Sequence, residues 1–137
     1  MSNPVILLAA AYITNSEGQI LLVRKRGSAY YMQAGGKLEA GETPLQALQR
    51  ELDEELGLTA EETASARYEA YFESPAANEP GHVVHAHVFT LTVNREIQAA
   101  AELEEARWVS PQEIRSLTLA PLLANHILPR LCAQAAV

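Results

Sequence analysis

The chain of 137 residues has one cysteine, one tryptophan and two phenylalanines, and aromatic residues make up only 6% of it. Cys132 alone cannot form an intrachain disulfide, and a thiolate-only metal site is excluded. A reducing cytoplasm is the simplest expectation for such a chain. Basic residues are also scarce: 10 Lys plus Arg stand against 17 Asp plus Glu, a formal net charge of −7. A protein that wraps a nucleic-acid backbone needs a basic face, so no polymeric nucleic-acid partner is expected. Long apolar runs are missing too. The run Val5-Ile6-Leu7-Leu8-Ala9-Ala10-Ala11 is too short to span a bilayer and has no basic residues before it, so neither a membrane span nor a secretory leader is expected. There is no internal repeat and no linker rich in Gly, Pro or Ser.

What is present is the composition of an ordinary globular protein, 48% hydrophobic and 20% charged in 14.9 kDa. That length fits a single domain over residues 1–137. Val5 to Ile13 reads as a buried strand, Asn15 to Gly18 as a turn and Ile20 to Val23 as the returning strand. Gly27 to Gly41 reads as loop. Thr43, Pro44 and Gln46 then start a helix with a capping box, Leu45, Leu48, Leu52 and Leu56 repeat at helical spacing, and Gly57 supplies the stop. Arg67 to Glu73, His82 to Val93 and the short Arg107 to Val109 read as strands. A second capping box, Ser110 to Glu113, follows, and Leu119 to about Leu131 reads as a helix that Pro129 kinks or ends. This order predicts an α/β sandwich around a mixed sheet.

The helix over 44–56 carries two stripes. Beside the leucines, Glu51, Glu54 and Glu55 fall on one face, because spacings of three and four residues bring side chains together. At about 6 Å and an effective dielectric of about 20, each pair repels by about 3 kcal/mol. A hard divalent cation with oxygen ligands, magnesium above all, is the natural counter-charge. A solvated acidic face is the plainer alternative, since runs of charge usually mean exposure.

The residues around the stripe separate these readings. Gly36-Lys37-Leu38-Glu39-Ala40-Gly41-Glu42-Thr43-Pro44-Leu45-Gln46-Ala47-Leu48-Gln49-Arg50-Glu51-Leu52-Asp53-Glu54-Glu55-Leu56-Gly57-Leu58 resembles a complete Nudix box: a Gly, a Glu six on, then Arg-Glu, an aliphatic, any residue, Glu-Glu, any residue, Gly and an aliphatic. The resemblance implies a Nudix-type α/β/α sandwich around a mixed β-sheet. It also implies magnesium-dependent hydrolysis, with manganese substituting, of the diphosphate linkage in a small nucleotide such as a (d)NTP, ADP-ribose or an NDP-sugar. By position, Glu51, Glu54 and Glu55 are the implied metal ligands, with the Gly36 carbonyl adding an oxygen. Glu42 and Arg50 are the implied pair that holds the loop on the helix. A further carboxylate ahead of the Trp108 strand is also implied, and Glu102 fits best, with Glu104 and Glu105 competing. Glu51 or Glu54 is the implied acceptor of the water's proton. Similar proteins commonly form homodimers. The alternative reading is a catalytically silent nucleotide-sensing domain, although such domains usually lose a box glutamate and none is missing here.

The resemblance also implies that a basic side chain of the run Arg24-Lys25-Arg26 contacts substrate phosphates, a surface salt bridge being the alternative; strand alternation sends Lys25 to the face opposite Arg24 and Arg26. Tyr31, beside Tyr30, offers a ring for stacking on a base or for packing the loop. His85, alternating with His87, is a further contact candidate or an ordinary sheet residue. Two departures from the wider pattern bear on substrate choice. Ala34 stands where many relatives have proline, and Gln33 replaces an aromatic or aliphatic side chain common in triphosphate hydrolases of the MutT type.

Overall fold

The computed structural model describes residues 3–135, with side chains through Leu131; the packing expected of Cys132 lies outside the described residues. Six strands form one mixed sheet: β1 (Val5–Thr14), β2 (Ile20–Lys25), β3 (Ala34–Lys37), β4 (Arg67–Pro75), β5 (Val83–Thr92) and β6 (Leu103–Val109). Their order is β4-β5-β1-β2-β6, with β3 also on β1. Only β1 and β5 run parallel, in register from Val5 with Val83 to Thr14 with Thr92. β1 and β2 meet at Thr14 and Ile20, then splay, and β3 takes the place that β2 leaves beside Leu8 to Ala11.

Both faces of the sheet are covered, as alternating apolar residues on β1 and β5 require. On one face Ala9, Ala11, Ile13, Phe89 and Leu91 pack under α1 (Pro44–Leu56). On the other, Ala10, Tyr12, Val84, Ala86 and Val88 pack under the C-terminal segments. These are α3 (Pro111–Ile114), a π-helical turn (Leu123–Ile127) and α4 (Leu128–Ala135).

α1 begins as its sequence predicts. Thr43 Oγ1 accepts from the Gln46 N–H at 3.2 Å, and Gln46 Oε1 accepts from the Thr43 N–H at 2.9 Å. Its stop is Gly57 at φ 67°, whose N–H donates to Asp53 O. Leu48, Leu52 and Leu56 are buried, each contributing about 2 kcal/mol by removal from water. Leu45 is not on that stripe: it is 37% exposed, and Ala47 fills the core position instead.

Two expectations are corrected, the reading of Pro129 as kinking or ending its helix is narrowed, and one element is new. The supposed loop over 27–41 contains β3, in which Gly35 lies so close to β1 that a Cβ would overlap Ala9 O. The Trp108 strand begins at Leu103, so Glu104 and Glu105 are strand residues rather than loop. Pro129 does not end its helix. The wider turn just before it, closed by the Leu128 N–H on Leu123 O, relieves the segment where the pyrrolidine ring would press on the carbonyl four residues back. A short helix α2 (Ala60–Thr63) was not expected, although its capping box, Thr59 with Glu62, stands in the sequence. Among the described residues no helix is long and apolar enough to cross a membrane.

Candidate active site

A cleft of about 300 Å³ opens where α1 faces the end of β3. Glu51, Glu54 and Glu55 reach it from α1, Glu102 from the approach to β6, Lys25 from β2, and Gly36 and Lys37 from β3. The opposite wall is apolar, with Ile6, Leu8, Val84 and Leu122, and the loop over 75–79 runs along the rim.

Arg50 organises the acidic end. Its Nε and Nη2 donate to the two carboxylate oxygens of Glu42 at 2.8 and 2.9 Å, its Nη2 also to the Lys37 carbonyl at 3.0 Å, and its Nη1 to Glu51 Oε1 at 2.8 Å. A planar fork that holds a loop carboxylate, a strand carbonyl and a helix carboxylate fixes all three relative to one another. The guanidinium, together with the Glu39 N–H, holds the Glu42 carboxyl down at about 2. Gly36 completes the junction: a Cβ there would overlap the Glu51 side chain, lying 2.6 Å from Oε2. A glycine at this position lets the carboxylate lie against the strand backbone.

Glu55 is 6% exposed, and its carboxyl is pushed up to about 7, first by burial and then by the Glu51 charge, with Glu102 and Glu54 adding and Lys25 opposing. A buried carboxyl with three carboxylates around it and no hydrogen-bonded cation is a site short of positive charge. Its donors are all oxygens, the set that suits magnesium or manganese. No three His, Cys, Asp or Glu side chains among the described residues are already gathered round one point, so gripping an ion requires these side chains to turn towards it.

The other expected residues are placed as follows. Lys25 lines the cleft, whereas Arg24, Arg26, Tyr31 and His85 are not part of its lining. Arg24 Nε donates to Glu105 Oε1 at 3.1 Å, and the Tyr31 hydroxyl donates to the same oxygen at 2.7 Å. Those two bonds, Tyr31 first, hold the Glu105 carboxyl below its usual range. Arg26 faces Glu104 at 3.8 Å. Glu104 and Glu105 are thus engaged by basic side chains, and Glu102 is the carboxylate of the three that borders the cleft. His85 lies 3.7 Å from Glu73 and edge-on to Tyr71, and His87 Nδ1 is 2.8 Å from the Tyr68 hydroxyl. Residues on the cleft that the sequence reading passed over include Lys37, paired with Glu79 at 3.2 Å. Its signal was a lone cation directly after the glycine pair.

Comparison with known proteins identifies the family and the fold. A family profile described as NUDIX domain matches residues 6–131. The chain is 32% identical over 115 residues, 81% of each protein, to CTP pyrophosphohydrolase of Escherichia coli. It is 45% identical over 64 residues to 8-oxo-dGTP diphosphatase of Haemophilus influenzae, a match that spans about half of that relative, 47%, and 44% of this chain. Among solved structures, the MutT protein of Methanosarcina mazei superposes with a TM-score of 0.75 at 23% identity, over 100% of this chain and 99% of the other, a likeness of fold. With the profile covering most of its length and the box glutamates gathered on one cleft, the chain belongs to the Nudix family.

Proposed function

We propose that the protein is a pyrophosphohydrolase that cleaves the diphosphate linkage of a small nucleotide of the (d)NTP, ADP-ribose or NDP-sugar type, with magnesium as its cofactor and manganese able to replace it. The observation that carries this reading is the convergence of Glu51, Glu54, Glu55 and Glu102 on one cleft beside the Gly36 backbone. These residues, with the Gly36 carbonyl, would hold the cation. When bound, it neutralises charge on the phosphate oxygens and acidifies the attacking water.

The chain's own groups do the rest. Lys25 and Lys37 supply positive charge along the cleft for the anionic substrate. Arg50 holds Glu51 in place by its 2.8 Å hydrogen bond, and a carboxylate of α1, Glu51 or Glu54, accepts the proton of the attacking water. Positioning and charge stabilisation are most of what phosphoryl transfer asks of a protein. The products are a nucleoside monophosphate, or its equivalent, and the remaining phosphorylated fragment.

The test is Glu54→Gln, which removes one charge from an exposed helix position. Turnover of nucleoside triphosphates, ADP-ribose and NDP-sugars with magnesium should fall by roughly three orders of magnitude while the melting temperature holds or rises. A variant as active as the wild type would overturn the assignment of Glu54.

A further inference from the structure

Gln33 is 8% exposed, and its Oε1 is buried without a hydrogen-bond partner. An unpaired buried carbonyl normally costs about 1–3 kcal/mol, so its retention inside a folded protein calls for a reason. Its place supplies one. The segment entering β3 alternates: Ala34 packs into the core under α1, and Gln33 and Gly35 face the other way. Gln33 therefore borders the cleft on the side of the apolar wall formed by Ile6, Val84 and Leu122.

The cleft thus has two chemically different ends. Carboxylates and lysines suit the phosphates and their cation, and the apolar wall suits a flat ring. A carboxamide set among apolar side chains is a hydrogen-bonding reader for the edge of that ring. The Watson–Crick edge of every nucleobase sets an N–H donor beside an acceptor, and a primary amide offers the complementary pair.

We propose that Gln33 selects the nucleobase of the substrate, its side chain turning out of the wall so that the unpaired Oε1 accepts from an N–H on the base edge. The inference deepens the proposed hydrolysis and rests on the same cleft. Without the base, the buried acceptor lacks a partner; with it, the bond forms in a dry setting where a mismatch leaves both groups unpaired.

The experiment measures kcat/KM for ATP, CTP, GTP and UTP, and calorimetric binding of the four nucleoside monophosphates, in wild type, Gln33→Leu, Gln33→Met and Gln33→Glu. Leu and Met keep the volume and lose the amide. Either should lower kcat/KM and affinity for the preferred base by roughly ten- to one-hundred-fold and narrow the spread among bases. Glu replaces the donor–acceptor pair with two acceptors, and should shift preference towards guanine, whose N1–H and N2–H donors lie side by side. A higher melting temperature with all four nucleotides affected equally would mean that Gln33 is only an unsatisfied core group, and would overturn the proposal. If the wild type hydrolyses no nucleotide but binds monophosphates with a base preference that Gln33→Leu erases, the hydrolase reading fails and this one stands. Binding that is indifferent to the base in the wild type overturns it.

Discussion

Two arginines in this protein grip a glutamate with the same fork, and their settings differ. Arg50 binds both oxygens of Glu42 and the carbonyl of Lys37; Arg95 binds both oxygens of Glu62 and the carbonyl of Gly57. Each holds its carboxyl down at about 2. The remaining donor of Arg95, Nη1, goes to a backbone carbonyl, that of Glu96 at 3.1 Å, so this residue ties the end of α1 and α2 to the chain after β5, and its own carbonyl accepts from Trp108 Nε1. Arg50 directs its Nη1 to a carboxylate instead, donating to Glu51 at 2.8 Å and standing 3.8 Å from Glu54. One clamp fastens the scaffold. The other uses the same fastening to aim a carboxylate that faces the cleft. The lesson is that a shared motif of geometry says little about role until its remaining donors are followed.

Replacing each arginine by lysine breaks this symmetry most sharply. Lysine keeps the charge but loses the fork. Arg50→Lys frees Glu51, and kcat should fall about one-hundred-fold with KM far less affected, as expected when a reacting group is slightly misplaced. Arg95→Lys should leave kcat within about twofold. Its effect should appear in the melting curve, a loss of about 1 kcal/mol, or roughly 4 °C, since the pair is partly exposed. Equal kinetic defects in the two variants would erase the distinction drawn between the clamps.

A smaller effect, in acid, is common to both. Glu42 and Glu62 have folded pKa values depressed to about 2 from an ordinary 4.5. For a depressed carboxylate the unfolded chain binds the proton first, so the stabilisation is present above about pH 4.5 and is lost as pH falls towards 2. Melting temperatures measured between pH 5 and pH 2 should therefore fall less steeply in Glu62→Gln and in Glu42→Gln than in the wild type. At neutral pH only Glu42→Gln should also slow turnover.

How much of this was legible beforehand follows from the range of the forces involved. α1, its caps and its glutamate stripe depend on neighbours three or four residues away, and the sequence pattern carries them in full. The pairing of Glu42 with Arg50 was expected from the box and is present. β3 was invisible because Ala-Gly-Gly-Lys has no apolar alternation, and its strand geometry comes from lying against β1. The choice among Glu102, Glu104 and Glu105 was open for a similar reason. Arg24 and Tyr31, more than seventy residues earlier in the chain, engage Glu105, and no local pattern announces that contact. Lys25 against its two arginine neighbours was decided by how β2 sits beside the cleft, where the pairing with β6 shifts register between Arg24 and Lys25.

The three alanines at the middle of β1 have a practical bearing on redesign. Two of them, Ala9 and Ala11, lie under α1 in the core, and the glycine backbone of β3 paired beside them is the floor on which the Glu51 carboxylate rests. Bulk added at either of these two positions would press on α1, which carries the reacting groups. Anyone wishing to widen the range of accepted molecules does better to recut the rim over residues 75–79 and leave that thin seam untouched.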